Sequence, residues 1–327
     1  MQLLYLTDPH TQVRRKDEHL EVWEGESRKA NVPLQSLERI VVFGSVPFTS
    51  QALALALDKG IDVSFLSGHG KYRGSLLAAQ SKNVFLRLAQ CERFRHGGFR
   101  LAFCRAVVTA KILAQQRVLT RYARSQRAEL ESRALEELAR LLGQVAEAGT
   151  PEGCQGLEGQ AAAVYFEQFR HMLTALEFPG RRQRPSTDPA NALLSLGYVM
   201  LGNEIASLLE ALGLDPAVGF LHGLRYGRQS LALDLVEPFR QPVIDRLTLR
   251  LLNLKQFTPK DFEGGEKGLR LVPEALKRYL EEYERHLRSS SEGEGSPSWR
   301  ERLKQQAEAV RAMVMNDRVE PLWVWDG

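Results

Sequence analysis

The sequence predicts an α+β protein with a small N-terminal β-rich domain at residues 1–80 and a larger all-α domain at 81–327. Before about residue 78, short runs of β-branched and aromatic residues alternate with Gly, Pro, Asp or Ser, which is typical of strands and turns. From about residue 81, apolar residues recur every three or four positions, which is the helical period. A chain of 327 residues is long enough for two domains with a sizeable core.

The N-terminal part is predicted to contain one short helix among its strands. That helix is expected from Ser50 to Asp58, because Thr49 or Ser50 can begin it and Gly60 can end it. The strands are expected at 3–6, 19–23, 39–43, 62–66 and 72–77. The glycines of 68–74 have the wrong spacing for a dinucleotide-binding loop and precede a strand, so a hairpin turn is favoured there.

The remainder is predicted to be helical. Asp188 followed by Pro189 can begin one of the helices, and Gly213 can end it. The Ser-, Gly- and Glu-rich stretch 289–297 predicts a flexible linker before the last helix. The helical segments are expected near 82–95, 99–125, 127–147, 155–176, 188–213, 228–254, 273–289 and 297–316. Breaks are expected at 97–98, 149–153, 179–189 and 257–268.

The composition is that of an ordinary globular protein, at 43% hydrophobic and 26% charged residues. The sequence has no run of eighteen apolar residues and no basic-then-apolar start, so we expect a cytoplasmic protein with no membrane contact. The three cysteines are odd in number and show no CxxC spacing, so the sequence indicates neither a disulfide framework nor a zinc ribbon. They are expected to be buried free thiols.

Positive charge is concentrated at the start of the helical region. Residues 82–127 contain eleven Lys and Arg against one acid, a net charge of +10 in a chain whose total is +4. Such a segment favours a polyanionic partner over a solvated helix face, because solubilising helices normally interleave both signs. The basic loop 178–188 could also meet phosphates. DNA contacts are therefore predicted for Lys111, Arg117, Arg121, Arg124, Arg181, Arg182, Arg225 and Arg228.

The segment 219–240 carries the strongest indication of chemistry. It places His222 on a glycine-flanked turn and then opens an apolar helix with Asp234 and Glu237 three residues apart. An i, i+3 pair lies on one helix face with Cβ atoms roughly 5–6 Å apart, close enough for both carboxylates to approach one divalent cation. Three arginines of this segment could bind phosphate or pair with the acids, namely Arg225, Arg228 and Arg240. Pairing with an acid is favoured for Arg240.

A further carboxylate could come from Glu158, which is predicted to begin a helix of small residues. Taken alone it could simply complement the helix dipole. Together with His222 and the acids that follow it, Glu158 becomes a candidate ligand. Two carboxylates and a neutral imidazole suit Mg²⁺ or Mn²⁺, and the absence of thiolates argues against structural zinc. The other histidines are expected to be packing or surface residues: His10, His19, His69, His96, His171 and His286.

Three blocks of sequence resemble the CRISPR adaptation integrase family, whose members are metal-dependent DNA integrases that insert new spacers into a CRISPR array. The blocks are 157–166, 188–201 and 219–240, and they are specific when taken together and in order. The resemblance covers nearly the whole chain and is less distinctive after about residue 290. It implies a metal held by Glu158, His222 and Glu237, with Asp234 as a further acidic active-site residue. The family has Asp or Glu at the position of Glu237.

The resemblance also implies the reaction and the partners. A DNA 3′-hydroxyl would attack the repeat phosphodiester with Mg²⁺ or Mn²⁺ bound, and water at the same site would give endonuclease activity. Family members are homodimers that pair through the β-domain, and two dimers flank a small companion Cas protein dimer on double-stranded DNA. The alternatives are a catalytically inactive DNA-binding scaffold of the same complex and a metallohydrolase of small phosphoesters. Asp234 could bind a second cation, orient a water or fix the tautomer of His222.

Overall fold

The computed structural model describes residues 2–68, 70, 72–77, 83–126, 132–182, 185–264 and 268–327. The chain divides into two compact units. The first comprises Met1–Gln80 with Leu271–Leu280, and the second comprises Ser81–Arg270 with Glu281–Gly327. The predicted order of a β-rich region followed by a helical one is confirmed. The assignment of 271–280 to the first unit was not part of the predicted division.

The described residues of the first unit form two sheets and one helix. The strands are β1 (Gln2–Leu6), β2 (Thr11–Lys16), β3 (His19–Glu24), β4 (Ser27–Pro33), β5 (Leu37–Phe43), β6 (Asp62–Leu66) and β7 (Tyr72–Leu76), and the helix is α1 (Ser50–Asp58). One sheet has the order β1-β5-β6-β7, in which only the β6–β7 pair is antiparallel. The other is the antiparallel meander β2-β3-β4. Side chains from both sheets form one core, with Val13, Leu20, Ile40 and Val63 fully buried.

Local signals predicted α1 correctly and missed two strands. The Thr49 hydroxyl accepts a hydrogen bond from the Ala52 amide at 3.2 Å, and Gly60 follows the helix with a φ of +74°. Strands β2 and β4 carry several polar and basic residues, so β propensity does not mark them. They are strands because both pair with β3.

The second unit contains most of the helices. They are α2 (Val84–Arg95), α3 (Gly97–Gln126), α4 (Ser132–Glu147), α5 (Pro151–Met172), α6 (Pro189–Leu212), α7 (Ser230–Phe239), α8 (Arg246–Asn253), α9 (Pro273–Arg288, which begins in the first unit) and α10 (Trp299–Asn316). Two short paired strands, β8 (Phe262–Glu263) and β9 (Arg270–Leu271), precede α9. The break predicted at 97–98 lies one residue earlier, at His96, and Gly97 and Gly98 are the first residues of α3.

Three further expectations are corrected. The segment 228–254 is not one helix, because a π-helical turn, Arg240–Asp245, joins α7 to α8. Pro238 and Pro242 each lack the amide that an α-helical ladder needs, which accounts for the widened turn. The stretch 289–297 is a hydrogen-bonded loop and not a bare linker, since the Ser291 amide donates to the Pro297 carbonyl at 3.0 Å. Cys104 and Cys154 are buried as expected, but Cys91 is exposed.

Helix α6 is the core helix of the second unit. The Asp188 carboxylate caps it by accepting from the Asn191 amide at 2.9 Å, and Gly213 ends it at a φ of +89°, as predicted. Among the described residues it is the one helix long and apolar enough to cross a membrane, yet 67% of its apolar window is buried inside the protein. Such burial is typical of a helix that packs at the centre of a fold.

A buried ion cluster joins α6, α9 and α10. Arg300 donates through Nε to Glu204 at 2.5 Å and through its two terminal nitrogens to Glu284 at 2.9 and 3.1 Å. Burial alone lowers the pKa of Arg300, but the charges and hydrogen bonds of Glu204 and Glu284 raise it above its ordinary value. Arg300 is therefore charged throughout the usual pH range.

Removing one charge from this cluster should destabilise the helical unit. We expect Glu204→Gln to lower the free energy of unfolding by about 3 kcal/mol, because it leaves part of the charge of a buried guanidinium uncompensated. Urea unfolding followed by circular dichroism measures this. The matched control is Glu308→Gln on α10, where an exposed carboxylate lies 4.0 Å from Lys304, and it should change stability by less than about 0.5 kcal/mol. Equal effects of the two variants would contradict the account.

Candidate active site

The loop before α7 is shaped by glycines. A Cβ on Gly219 would lie 2.4 Å from the Ser230 carbonyl carbon and 2.6 Å from the Leu231 nitrogen, so only glycine allows this close approach to the start of α7. Gly223 directly follows His222 and has a φ of +64°, in the left-handed region that glycine adopts easily. These two positions bring the loop that carries His222 back over α7.

The Asp234 carboxylate fixes that loop. The side chain is fully buried. Its Oδ2 accepts from the amides of Phe220 at 2.6 Å and Leu221 at 3.0 Å. Its Oδ1 accepts from the amide of His222 at 3.0 Å and lies 2.7 Å from Nδ1 of the same residue. Of the three roles considered for Asp234 from the sequence, this geometry matches the positioning of His222.

The contact with Asp234 also sets the tautomer of His222. Because Nδ1 donates its hydrogen to the carboxylate, the neutral imidazole carries its lone pair on Nε2. That nitrogen lies 3.8 Å from Oε1 of Glu237. Burial alone lowers the pKa of His222, but the hydrogen bond and charge of Asp234, with the charge of Glu237, raise it above the ordinary 6.5. The availability of the Nε2 lone pair therefore depends on pH.

Three helices bring a lysine between two carboxylates. Lys111 of α3 is 4% exposed, and its Nζ contacts both Glu158 of α5 and, at 2.5 Å, Oε2 of Glu237 of α7. Burial alone lowers the pKa of Lys111, but the charges of Glu237 and Glu158 outweigh burial and raise it. The ammonium is the shared counter-ion of both acids.

Arg240 supplies a second positive charge to Glu237. Its guanidinium lies 3.0 Å from Oε1 of Glu237, as the pairing interpretation of the sequence predicted, and rests over the ring of Tyr198 at 4.5 Å. Burial alone raises the pKa of Glu237, but the charges of Arg240, Lys111 and His222 lower it to about 2. Glu237 is therefore an ionised carboxylate in a buried position.

The position of Glu158 differs from the prediction, because this residue does not begin a helix. The Thr150 hydroxyl accepts from the Gly153 amide at 3.0 Å, and Pro151 occupies the first turn, so α5 begins seven residues before Glu158. The glycines of 149–153 predicted a break there, which concealed the helix cap at Thr150. Glu158 lies two turns inside α5, beyond the reach of the dipole at the helix start, and is held by Lys111.

The predicted metal ligands lie near one another but do not all face one point. Among the described residues, no three His, Cys, Asp or Glu form a group with the geometry of a metal site. Glu158 and Glu237 face each other across the ammonium of Lys111, and Nε2 of His222 faces the other oxygen of Glu237. The donor set fits Mg²⁺ or Mn²⁺ chemically, since two carboxylates and one neutral imidazole are ligand types that these ions accept, and the two carboxylates already share the cation of Lys111.

The basic residues predicted to contact DNA fall into two groups. The predicted DNA contact of Lys111 is wrong, because this residue is buried against Glu158 and Glu237 and offers no surface to DNA. Arg117 donates to the backbone of the segment after α10, Arg181 bonds Asn191 at 2.7 Å, and Arg228 bonds the His222 carbonyl. DNA contact stays a prediction for these arginines and for the four that are exposed, Arg121, Arg124, Arg182 and Arg225.

Comparison with known proteins gives consistent matches over most of the chain. The family model described as CRISPR associated protein Cas1 matches residues 4–285. CRISPR-associated endonuclease Cas1 3 of Thermus thermophilus is 38% identical over 256 residues, 78% of this chain and 75% of that protein. A CAS1 protein from Thermotoga maritima superposes with a TM-score of 0.84 at 26% identity, covering 96% of this chain and 97% of that one. A chain of a Cas6-RT-Cas1–Cas2 complex superposes with a TM-score of 0.85 at 25% identity, covering 99% of this chain and 36% of that one.

Lys111 should be required for stability when no metal is added. We expect Lys111→Met, measured by urea unfolding in EDTA, to lower the free energy of unfolding by about 3 kcal/mol, because two acids lose their shared cation. Lys304→Met is the control, since Lys304 is exposed and lies 4.0 Å from Glu308, and it should change stability by less than about 0.5 kcal/mol. A Lys111→Met protein as stable as the unmodified chain would show that the ammonium does not hold the acids.

Proposed function

The chain belongs to the CRISPR-associated Cas1 family, and on that premise we propose that it is a metal-dependent DNA endonuclease and integrase that inserts DNA fragments into a CRISPR array. The observation that carries the proposal is the positioned lone pair on Nε2 of His222, held by Asp234 beside the buried carboxylate of Glu237. Family membership supports the activity, since the Thermus relative is named an endonuclease.

We propose that Glu158, Nε2 of His222 and Glu237 hold Mg²⁺ or Mn²⁺. When bound there, the ion would neutralise charge on the phosphoryl oxygens and help to deprotonate the attacking hydroxyl. Asp234 keeps the hydrogen on Nδ1, so the lone pair stays directed away from the loop. Arg240 and Lys111 keep the carboxylate of Glu237 ionised at neutral pH.

The proposed reaction is a direct displacement at phosphorus. The 3′-oxygen of the incoming fragment forms a bond to a phosphorus of the repeat, and the bond from that phosphorus to the 3′-oxygen of the repeat strand breaks. Attack by water at the same position gives endonuclease cleavage. The exposed side chain of Arg225, three residues after His222, is positioned by sequence to bind a phosphate near the reacting one. Arg182 could do the same from the loop before α6.

We propose double-stranded DNA as the substrate, a homodimer paired through the β-rich unit, and a small companion Cas protein dimer that completes a heterohexamer. The name of the Cas6-RT-Cas1–Cas2 complex supports a Cas partner. The alternative is a catalytically inactive DNA-binding scaffold. It is favoured by one observation, the ammonium of Lys111 between the carboxylates that would bind the ion.

A joining assay separates the two functions. The chain and its companion protein are mixed with a short duplex bearing 3′-hydroxyl ends and a supercoiled plasmid that carries a CRISPR repeat, in Mg²⁺, Mn²⁺ or EDTA. We expect joined product only with metal, and a loss of about 100-fold or more in His222→Ala, because a group that stabilises the transition state is removed. His171→Ala, which changes an exposed histidine on α5, should join normally. DNA binding without joining in any metal would favour the scaffold.

Metal affinity should depend on pH in a defined direction. Imidazolium has no lone pair, so Mn²⁺ affinity should fall as pH decreases through the pKa of His222. Because that pKa is raised, the midpoint should lie above the ordinary 6.5. Asp234→Asn removes the carboxylate that raises the pKa and should move the midpoint to lower pH. Calorimetric titration with Mn²⁺ between about pH 5.5 and about 8.5 measures both. A midpoint that is the same in the two proteins would contradict the role given to Asp234.

A further inference from the structure

The candidate active site opens to solvent beside an exposed loop. The side chains of His222 and Glu158 are 24% and 23% exposed, whereas those of Asp234 and Glu237 are 0% and 3% exposed. A phosphate that reaches this site therefore approaches from the side of His222 and Glu158. The loop 223–229 borders this approach, because it begins directly after His222 and ends at the start of α7.

A hydrogen-bonded turn gives the loop 223–229 a defined shape. The Arg228 amide donates to the Arg225 carbonyl at 3.1 Å, and Gly227 is the third of these four residues, with a φ of +68°. A positive φ at the third position is typical of a type II turn, in which Tyr226 is the second residue. The Arg228 guanidinium donates to the His222 carbonyl. The turn is therefore tied to the backbone of the residue that carries the candidate ligand nitrogen.

This turn presents an aromatic ring to solvent. Tyr226 is 105% exposed, the highest value among the exposed large hydrophobic side chains of the described residues, and Leu224 is 60% exposed. A single exposed hydrophobic residue is common on protein surfaces. Tyr226 differs in its place, because it lies four residues from His222 on a turn bonded to that residue. Four residues of chain span at most about 14 Å between Cα atoms, so the ring stays close to the opening of the site.

The residues of the turn match the chemistry of an unpaired nucleotide. Arg225 precedes Tyr226 and is also exposed, so a positive charge and an aromatic ring are adjacent at the surface. Proteins that bind single-stranded nucleic acid combine positive side chains, which contact phosphates, with aromatic rings, on which bases stack. An exposed tyrosine also suits a protein partner, but the adjacent arginine and the neighbouring opening of a site for phosphates favour a nucleotide.

We propose that Tyr226 is a substrate-positioning residue whose ring stacks on an unpaired or terminal nucleobase next to the reacting phosphate, while Arg225 binds the adjoining phosphate. This role depends on the proposed function, because it takes DNA as the substrate of the candidate site. The base belongs to the end of the incoming fragment or to the repeat strand at the point of attack, since both meet at the reacting phosphorus. Stacking requires only a π-face, so it places the strand without selecting its sequence.

DNA binding to the full chain in EDTA tests the stack without the reaction. Fluorescence anisotropy measures the affinity for a labelled incoming duplex with a short unpaired 3′ end, and separately for a labelled repeat duplex. Each is compared with copies in which one nucleotide near the reacting position is abasic. For the duplex that supplies the base, we expect Tyr226→Ala to weaken binding about tenfold, and the abasic nucleotide to weaken binding by the unmodified chain equally. The abasic nucleotide should have no further effect in Tyr226→Ala.

Control variants separate the ring from its hydroxyl and from the phosphate contact. Tyr226→Phe keeps the π-face and should bind like the unmodified chain. Phe85→Ala removes a 74% exposed ring from α2 and should also bind normally. The dependence of affinity on salt should be unchanged in Tyr226→Ala but shallower in Arg225→Gln, because only the second variant removes a phosphate contact. Circular dichroism should be the same for all four variants, since the substituted side chains are exposed.

The outcomes distinguish this role from the proposed function. Base-dependent binding that requires Tyr226, in a chain that joins no DNA in any metal, would support the stack and contradict the integrase. An abasic penalty in Tyr226→Ala as large as in the unmodified chain, or equal affinities of Tyr226→Ala and Phe85→Ala, would overturn the stack. Tyr226→Ala that binds DNA normally and loses the companion protein would also overturn it and would assign the ring to a protein contact.

Discussion

The candidate site depends on the hydrogen bonds that the buried carboxylate of Asp234 accepts. A carboxylate away from water is tolerated only when its oxygens are hydrogen-bonded, and here three backbone amides and one imidazole supply those bonds. The same bonds fold the loop after Gly219 against α7 and give His222 one orientation and one tautomer. The same hydrogen bonds therefore fold this loop and orient the imidazole of His222.

The second constraint is charge balance around Glu237. Two acids and a lysine meet in the interior from three different helices, and Arg240 adds a further positive charge. Burying these acids without a cation would cost several kcal/mol, so a positive charge must be present whether or not a metal is bound. Lys111 supplies it in the structure. This explains how the acids of the proposed metal site can be buried and ionised when no metal ion is bound.

Local sequence signals predicted most of the fold and only part of the site. Thr49 and Gly60 mark α1 correctly, whereas Pro238 and Pro242 were not recognised as the cause of the π-helical turn, and the cap at Thr150 was lost among neighbouring glycines. The spacing of Asp234 and Glu237 predicted a shared face, but their separate roles depend on what packs against them. Lys111 lies 47 and 126 residues from its two acids, so no local pattern connects them. Its position between Ala110 and Ile112 in an apolar run was the one available signal of a buried charge.

The central claim is that Glu158, His222 and Glu237 together hold a divalent ion. The most direct measurement is a crystal structure of the full chain soaked in Mn²⁺, with data collected to show the anomalous scattering of manganese. The account predicts a peak bonded to Nε2 of His222 and to oxygens of Glu158 and Glu237, with the ammonium of Lys111 withdrawn from at least one carboxylate. No peak at these residues, or manganese bound only elsewhere in a protein that joins DNA, would contradict it.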